Sequence, residues 1–190
     1  MKKTLTFVTA NAQKLEEVQA LIGSEIQLKS LIDLECFDDI PETGATFEEN
    51  ALMKSEYIYS RYKVDCFADD SGLEIEALSG EPGIYSARYS GSRDMQENID
   101  LVLKKLEGVT NRKANFRCVI SLIIGQNKHL FEGVIHGVIL EKVSGNAGFG
   151  YDPIFQPDGY SISFAEMSLE EKNKISHRSQ AIAKLLAFIK

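Results

Sequence analysis

Four clusters of side chains in this sequence could do chemistry. Thr9, Asn11 and Lys14 stand within Thr9-Ala10-Asn11-Ala12-Gln13-Lys14. Small residues let an anion approach the backbone there, Thr9 and Asn11 offer hydrogen bonds, and Lys14 adds charge at a helix start, whose free N–H groups favour a phosphate. The spacing is not that of a P-loop, and a polar turn capped by Asn11 is the plainer alternative. Asp69 and Asp70 are adjacent, with Glu42 upstream. Hard carboxylate oxygens beside a phosphate suit Mg²⁺, but an Asx turn at Asp69-Asp70-Ser71-Gly72 explains the pair as well. If a strand persists through them, only one can face a given site, because successive side chains alternate. Gly148-Phe149-Gly150-Tyr151-Asp152-Pro153 sets two aromatics among glycines, either a stacking platform for a base or a loop plugging the core. Lys172 with Ser176-His177-Arg178 could grip an acceptor, or could be a solvated helix start in which Lys172 pairs with glutamates.

The elements that must position these groups follow from periodicity and punctuation. Residues 4–10 form a short β-branched apolar run, a buried strand. Leu15, Val18, Leu21 and Ile22 recur at helical spacing up to Gly23. Thr46 with Glu49 predicts a capped helix to about Tyr62. A short strand over 66–68, the 69–72 turn and a second strand over 73–78 come next, then a loop over 80–91. Asp94 and Glu97 begin a helix that ends near Gly108. Residues 116–124 and 129–142 read as long strands about a turn at 125–128, and His129 and His136 within strand-like stretches read as structural. A capping pair, Ser168 with Glu171, precedes a last helix with Ile182, Leu185, Leu186 and Ile189 on one face. The alternation of strands and helices predicts an α/β fold with a mixed sheet. No linker, repeat or low-complexity stretch divides the chain.

Composition narrows the function. The 190 residues are 44% hydrophobic and 26% charged, an ordinary globular balance. With 21 Lys and Arg against 28 Asp and Glu, the net charge is −7, which disfavours a general nucleic-acid binder. No apolar run is long enough to span a membrane. Cys36, Cys66 and Cys118 form no C-x-x-C pair and read as reduced thiols rather than disulfide or zinc ligands. The start MKKTLTFVTANA mimics a signal peptide, but its apolar core is short and broken by Thr6 and Thr9, so a cytoplasmic protein is expected.

Taken together, the clusters resemble the inosine/xanthosine triphosphate pyrophosphatases, which remove deaminated purine nucleotides. The matching blocks are TANAQKLEEV (9–18), ETGATFEENALMKS (42–55), ADDSGLEIEALSGEPGIYSARYSG (68–91), GFGYDPIF (148–155) and EEKNKISHRSQA (170–181). Residues 92–144 carry little signature, and Ala10 stands where many members have glycine or asparagine.

The resemblance implies a single domain over 1–190, elongated, with a mixed sheet flanked by helices and two lobes around a central nucleotide-binding cleft. It implies hydrolysis of ITP, dITP and XTP to the monophosphate and diphosphate, with Mg²⁺ as cofactor, in a homodimer. Thr9, Asn11 and Lys14 would hold the triphosphate, with Lys54 facing the phosphates and Ser71 at their end of the site. Glu42 and Asp70 would bind Mg²⁺, and Asp70 would also activate water. Phe149 would stack on the purine, with Gly150, Tyr151 and Asp152 in that wall. Lys172, His177 and Arg178 would read the base edge. Because Arg178 cannot accept a hydrogen bond, it would favour a 6-keto purine over adenine, and Arg178→Ala is expected to lose selectivity more than stability. A pyrophosphatase for pyrimidine or modified nucleotides, and a nucleotide-binding regulator without turnover, are the competing readings.

Overall fold

A computed structural model describes residues 3–24 and 26–189. Met1 and Lys2 of the signal-like start lie outside the described residues, and the apolar stretch behind them is strand β1. The strands are β1 (Lys3–Phe7), β2 (Ile26–Lys29), β3 (Cys66–Ile75), β4 (Lys113–Ile124), β5 (Asn127–Ile139) and β6 (Phe155–Pro157). The α-helices are α1 (Ala12–Leu21), α2 (Phe47–Tyr62), α3 (Met95–Lys105), α4 (Leu169–Ile175) and α5 (His177–Ile189). The strands form one six-stranded sheet in the order β2-β1-β3-β4-β5-β6. β1 is parallel to β2 and β3, whereas β5 and β6 are antiparallel, so the sheet is mixed and the fold α/β. Among the described residues no helix is long and apolar enough to cross a membrane.

Local chemistry starts the helices where the sequence predicts. Asn11, Thr46, Asp94 and Ser168 each accept a hydrogen bond from a first-turn N–H, a contribution of about 1 kcal/mol per cap. The pair at Ser168 is reciprocal. At Thr46 the glutamate turns one residue further back: Glu49 Oε2 accepts from the Ala45 N–H at 2.6 Å.

The chain divides into two compact units. The first comprises Met1–Asp70, Cys118–Gly133 and Arg178–Lys190, and it is layered. Leu5, Phe7, Phe67, Cys118, Ile120 and Leu122 pack with Val18 of α1 and Ile182 and Leu185 of α5. Cys66, Ala68 and Ile123 pack with Ile58 of α2. Strand alternation explains the division: on β3 the odd position Phe67 points to α1 and α5, and the even positions Cys66 and Ala68 point to α2. The even face also carries the Ser55–Ser121 hydroxyl pair at 2.8 Å. The last helix packs as its period predicts, with Leu186 and Ile189 at the margin of the same core.

The second unit comprises Ser71–Arg117 and Val134–His177. Its core joins Leu73 and Ile75 of β3 to Ile99, Val102 and Leu106 of α3 and to Phe116, Tyr151, Phe155 and Phe164.

The strand expected over 73–78 ends at Ile75, and Glu76–Leu78 is a 3-10 turn. The Asp69–Gly72 stretch is not a turn, because β3 continues from Cys66 to Ile75. β2 and β6, only four and three residues long, were not predicted.

Candidate active site

The unbroken β3 decides what the adjacent aspartates do. Asp69 follows the odd face and Asp70 the even face, so each meets a different helix layer.

On the odd face, Asp69 Oδ2 takes Lys14 Nζ at 3.0 Å and the Arg178 guanidinium at 3.2 and 3.3 Å. Arg178, 1% exposed, also donates to the buried carboxylate of Glu17 on α1. A single chain of charge, buried except at Lys14, thus runs Glu17–Arg178–Asp69–Lys14. Burial opposes the Asp69 charge, but Lys14, Arg178 and Lys54 outweigh it and hold its carboxyl well below the usual carboxylate range. Beneath it, burial pushes the Cys118 thiol up to about 12.

A carboxyl depressed in the folded state contributes fully above its unfolded value, near 3.8, and that contribution is lost as the pH falls through the lower folded value. Asp69→Asn is therefore expected to destabilise the protein at pH 7, with the difference from the native chain shrinking below pH 3.8. Thermal melts from pH 7 to pH 2 check this, and a difference independent of pH would contradict it.

On the even face, Asp70 Oδ2 accepts from Asn50 Nδ2 at 3.0 Å, and Oδ1 lies 3.9 Å from Lys54 Nζ. Lys54 also donates to Glu42 Oε1 at 3.0 Å, so the two carboxylates share one ammonium. Burial pushes the pKa of Asp70 above the ordinary carboxylate value despite Lys54 and Lys14 nearby. Lys54 is raised, since the carboxylates of Asp70, Asp69 and Glu42 overcome its desolvation.

Among the described residues no three His, Cys, Asp or Glu side chains form a metal-binding group. Two carboxylates meeting at a cation are nonetheless the protein share that Mg²⁺ takes when phosphates and water supply its other ligands. Glu42 and Asp70 fit that role.

The turn before α1 uses its polar groups on itself. The Asn11 N–H donates to Thr9 Oγ1 at 3.1 Å, and Asn11 Oδ1 accepts from the Lys14 N–H at 3.0 Å. Asn11 is thus the N-cap of α1, and Lys14 is held at the odd face by Asp69.

The second unit gathers Phe149, Asp152 and Lys172. Asp152 Oδ2 accepts from Lys172 Nζ at 2.6 Å and from the Phe149 N–H at 2.9 Å. Lys172 Nζ lies 4.9 Å from the centroid of the half-buried Phe149 ring and 5.4 Å from that of Phe164. Glycine is obligatory at 148: Gly148 has φ +74°, and a Cβ on it would meet Asp152 Oδ2 at 2.1 Å. Gly150 is also left-handed. Lys172 is buried on Asp152, not solvated among glutamates.

Tyr151 lies in the core, its hydroxyl donating to the Ser86 carbonyl at 2.8 Å, with its ionisation pushed up by burial. His177 is buried and stacks on Phe116 at 4.9 Å. Ser71 is partly buried on β3 immediately after Asp70.

The predicted residues therefore fall into three groups: Thr9, Asn11 and Lys14; Glu42, Lys54 and Asp70; and Phe149, Asp152 and Lys172. Arg178 has partners other than those expected of it, two buried carboxylates. It belongs to the first unit, whereas Lys172 and His177 belong to the second.

Two residues escaped the sequence reading. Glu17 lies three positions after Lys14 on α1, and Asn50 four before Lys54 on α2, spacings that share a helix face. That shared face is the signal that could have found them.

The fold and its polar groups define an α/β protein whose first unit gathers buried carboxylates on Lys14, Lys54 and Arg178 and whose second unit sets Lys172 against Asp152 and Phe149. The Ham1 family model matches residues 5–188, and the chain belongs to the Ham1 family. It is 49% identical to the dITP/XTP pyrophosphatase of Flavobacterium psychrophilum, over 98% of both chains. It is 46% identical to that of Porphyromonas gingivalis, over 97% of this chain and 96% of the relative. Among solved structures, the Ham1 protein of Staphylococcus aureus superposes with a TM-score of 0.90 at 40% identity, covering 98% of each chain. A HAM1 protein from Coxiella burnetii gives 0.90 at 37% identity, with the same coverage.

Proposed function

We propose that this protein is a dITP/XTP pyrophosphatase that also accepts ITP and cleaves each substrate with water to the nucleoside monophosphate and diphosphate. One observation carries the reading: Glu42, Lys54 and Asp70 converge in a chain nearly half identical, end to end, to proteins of that name.

The residues supply a coherent mechanism. The side chains of Lys14, at the start of α1, and of Thr9, Asn11 and Ser71 receive phosphate oxygens. Lys54 offsets charge on the phosphates. Glu42 and Asp70 would hold Mg²⁺, which when bound polarises the phosphoryl oxygens and offsets leaving-group charge. Asp70 orients the attacking water and takes up its proton. Phe149 stacks on the purine, with Gly150 next to it in that wall, where the left-handed backbone favours glycine.

Lys172 and His177 carry the reading of the base edge. Lys172 is a donor only, so it matches the 6-keto oxygen of hypoxanthine or xanthine and opposes the 6-amino group of adenine. Each donor left facing a donor costs about 1–3 kcal/mol, enough for a strong preference. Three buried free cysteines support a reducing, cytoplasmic setting. Homodimerisation belongs to the same reading, and sedimentation velocity tests it.

The deciding experiment is diphosphate release from dITP, XTP, ITP, ATP and GTP, each with Mg²⁺ and with EDTA. Metal-dependent release from the first three alone is expected. No release from any would sink the reading. Phe149→Ala is expected to raise KM for dITP roughly tenfold or more, since stacking of a base is worth about 1–3 kcal/mol. An unchanged KM would remove Phe149 from the base wall.

A further inference from the structure

Asn50 lies on α2, buried to 1% exposure, and its side-chain amide is used at both ends. Nδ2 donates to Asp70 Oδ2 at 3.0 Å, and Oδ1 accepts from the Gly44 N–H at 2.8 Å. The first bond fixes which oxygen of Asp70 is turned toward Lys54, namely Oδ1. The second pins the backbone two residues beyond Glu42, the other carboxylate on Lys54. Close approach reinforces this contact: a Cβ on Gly44 would meet Glu49 Cβ at 2.6 Å and Asn50 Oδ1 at 2.9 Å. The 42–45 segment can therefore lie against this amide only with glycine at 44.

We infer that Asn50 is a positioning residue that sets the Glu42–Asp70 carboxylate pair, one amide holding Asp70 from β3 and the Glu42 loop together. The inference rests on the assignment of those carboxylates to a divalent cation under the proposed function. A donor is required toward Asp70 and an acceptor toward Gly44, and among side chains of this length only a carboxamide offers both. Asn50→Asp keeps an acceptor for the Gly44 N–H and loses the donor to Asp70. Asn50→Ala loses both.

The test uses the full chain. Mn²⁺ is titrated onto substrate-free protein and followed by electron paramagnetic resonance, and dITP turnover is measured across a range of Mg²⁺ concentrations. Both variants are expected to weaken Mn²⁺ binding at least tenfold, to raise the half-saturating Mg²⁺ similarly and to lower kcat at least tenfold. KM for dITP at saturating Mg²⁺ should stay within about threefold. A lowered thermal midpoint with native Mn²⁺ affinity and native kcat would make Asn50 structural and overturn the inference, as would failure of both variants to fold. Native or tighter Mn²⁺ binding by Asn50→Asp would overturn the Asp70 half of the clamp. If the unsubstituted protein turns over no nucleotide, the proposed function fails, while the Mn²⁺ titration still decides the role of Asn50.

Discussion

Asp70→Asn is expected to lower turnover of dITP by about a hundredfold or more without lowering the thermal midpoint. The loss has two sources. Asn cannot accept a proton from water, which alone is worth about two to four orders of magnitude, and it is a weaker ligand for a hard cation. The stability half follows from the direction of the Asp70 shift. Burial raises its proton affinity in the folded state, so above the unfolded value the charged form is disfavoured by the fold. A neutral isostere removes that cost while Asn50 can still bond to its oxygen. Differential scanning calorimetry at pH 7 in EDTA, beside a kinetic assay in Mg²⁺, separates the halves. Native turnover would remove Asp70 from the chemistry. A large fall in midpoint would show that the Lys54 pairing outweighs desolvation. Stability given up for function is the usual condition of an active-site carboxylate.

Asp70 also shows where sequence reading stops. Features fixed by a few neighbouring residues were legible: Asn11, Thr46, Asp94 and Ser168 cap the helices they were expected to cap. The period of the last helix correctly selects Ile182 and Leu185 for the core. Asp69-Asp70-Ser71-Gly72, by contrast, has the composition of a turn but lies within a strand. Both aspartates can sit in that strand because cations from elsewhere in the chain reach them: Lys14 and Arg178 on one face, Lys54 on the other. None of these is a sequence neighbour, so local composition pointed the wrong way. β2 and β6 are too short for alternation to register. Tyr151 reads equally as a wall or a plug from its spacing, and its core contacts and bond to Ser86 show how its ring is used. The groups able to do chemistry were legible because carboxylates, lysines and an aromatic declare themselves by residue type. The pairing was not, because Asn50 and Glu17 acquire their roles only through contacts made by folding.

Arg178→Ala is expected to cost about 3–5 kcal/mol of stability, reversing the order expected from sequence, where selectivity was to fall first. The guanidinium is fully buried and bonds to Glu17 and Asp69. Removing it takes the guanidinium away from both buried carboxylates and leaves Asp69 in contact with Lys14, which is itself partly exposed. Burial works against the Arg178 charge, but Asp69 and Glu17 more than compensate, so the guanidinium stays protonated at any accessible pH. The loss therefore comes from stranded anions rather than from a titration. For a chain of this size it corresponds to a fall in midpoint on the order of 10 °C. A double-mutant cycle identifies the source. Glu17→Gln alone should also destabilise, by leaving Arg178 with one carboxylate. If the two side chains act through each other, Glu17→Gln combined with Arg178→Ala should cost clearly less than the sum of the single changes. Strict additivity, or a midpoint unmoved by Arg178→Ala, would break the link between the residues. Any change in base preference must then be read on protein shown to be folded, because loss of Arg178 also frees Asp69 and through it Lys14. A selectivity defect in that variant would then arise through a displaced Lys14 as readily as through a lost contact of Arg178 itself.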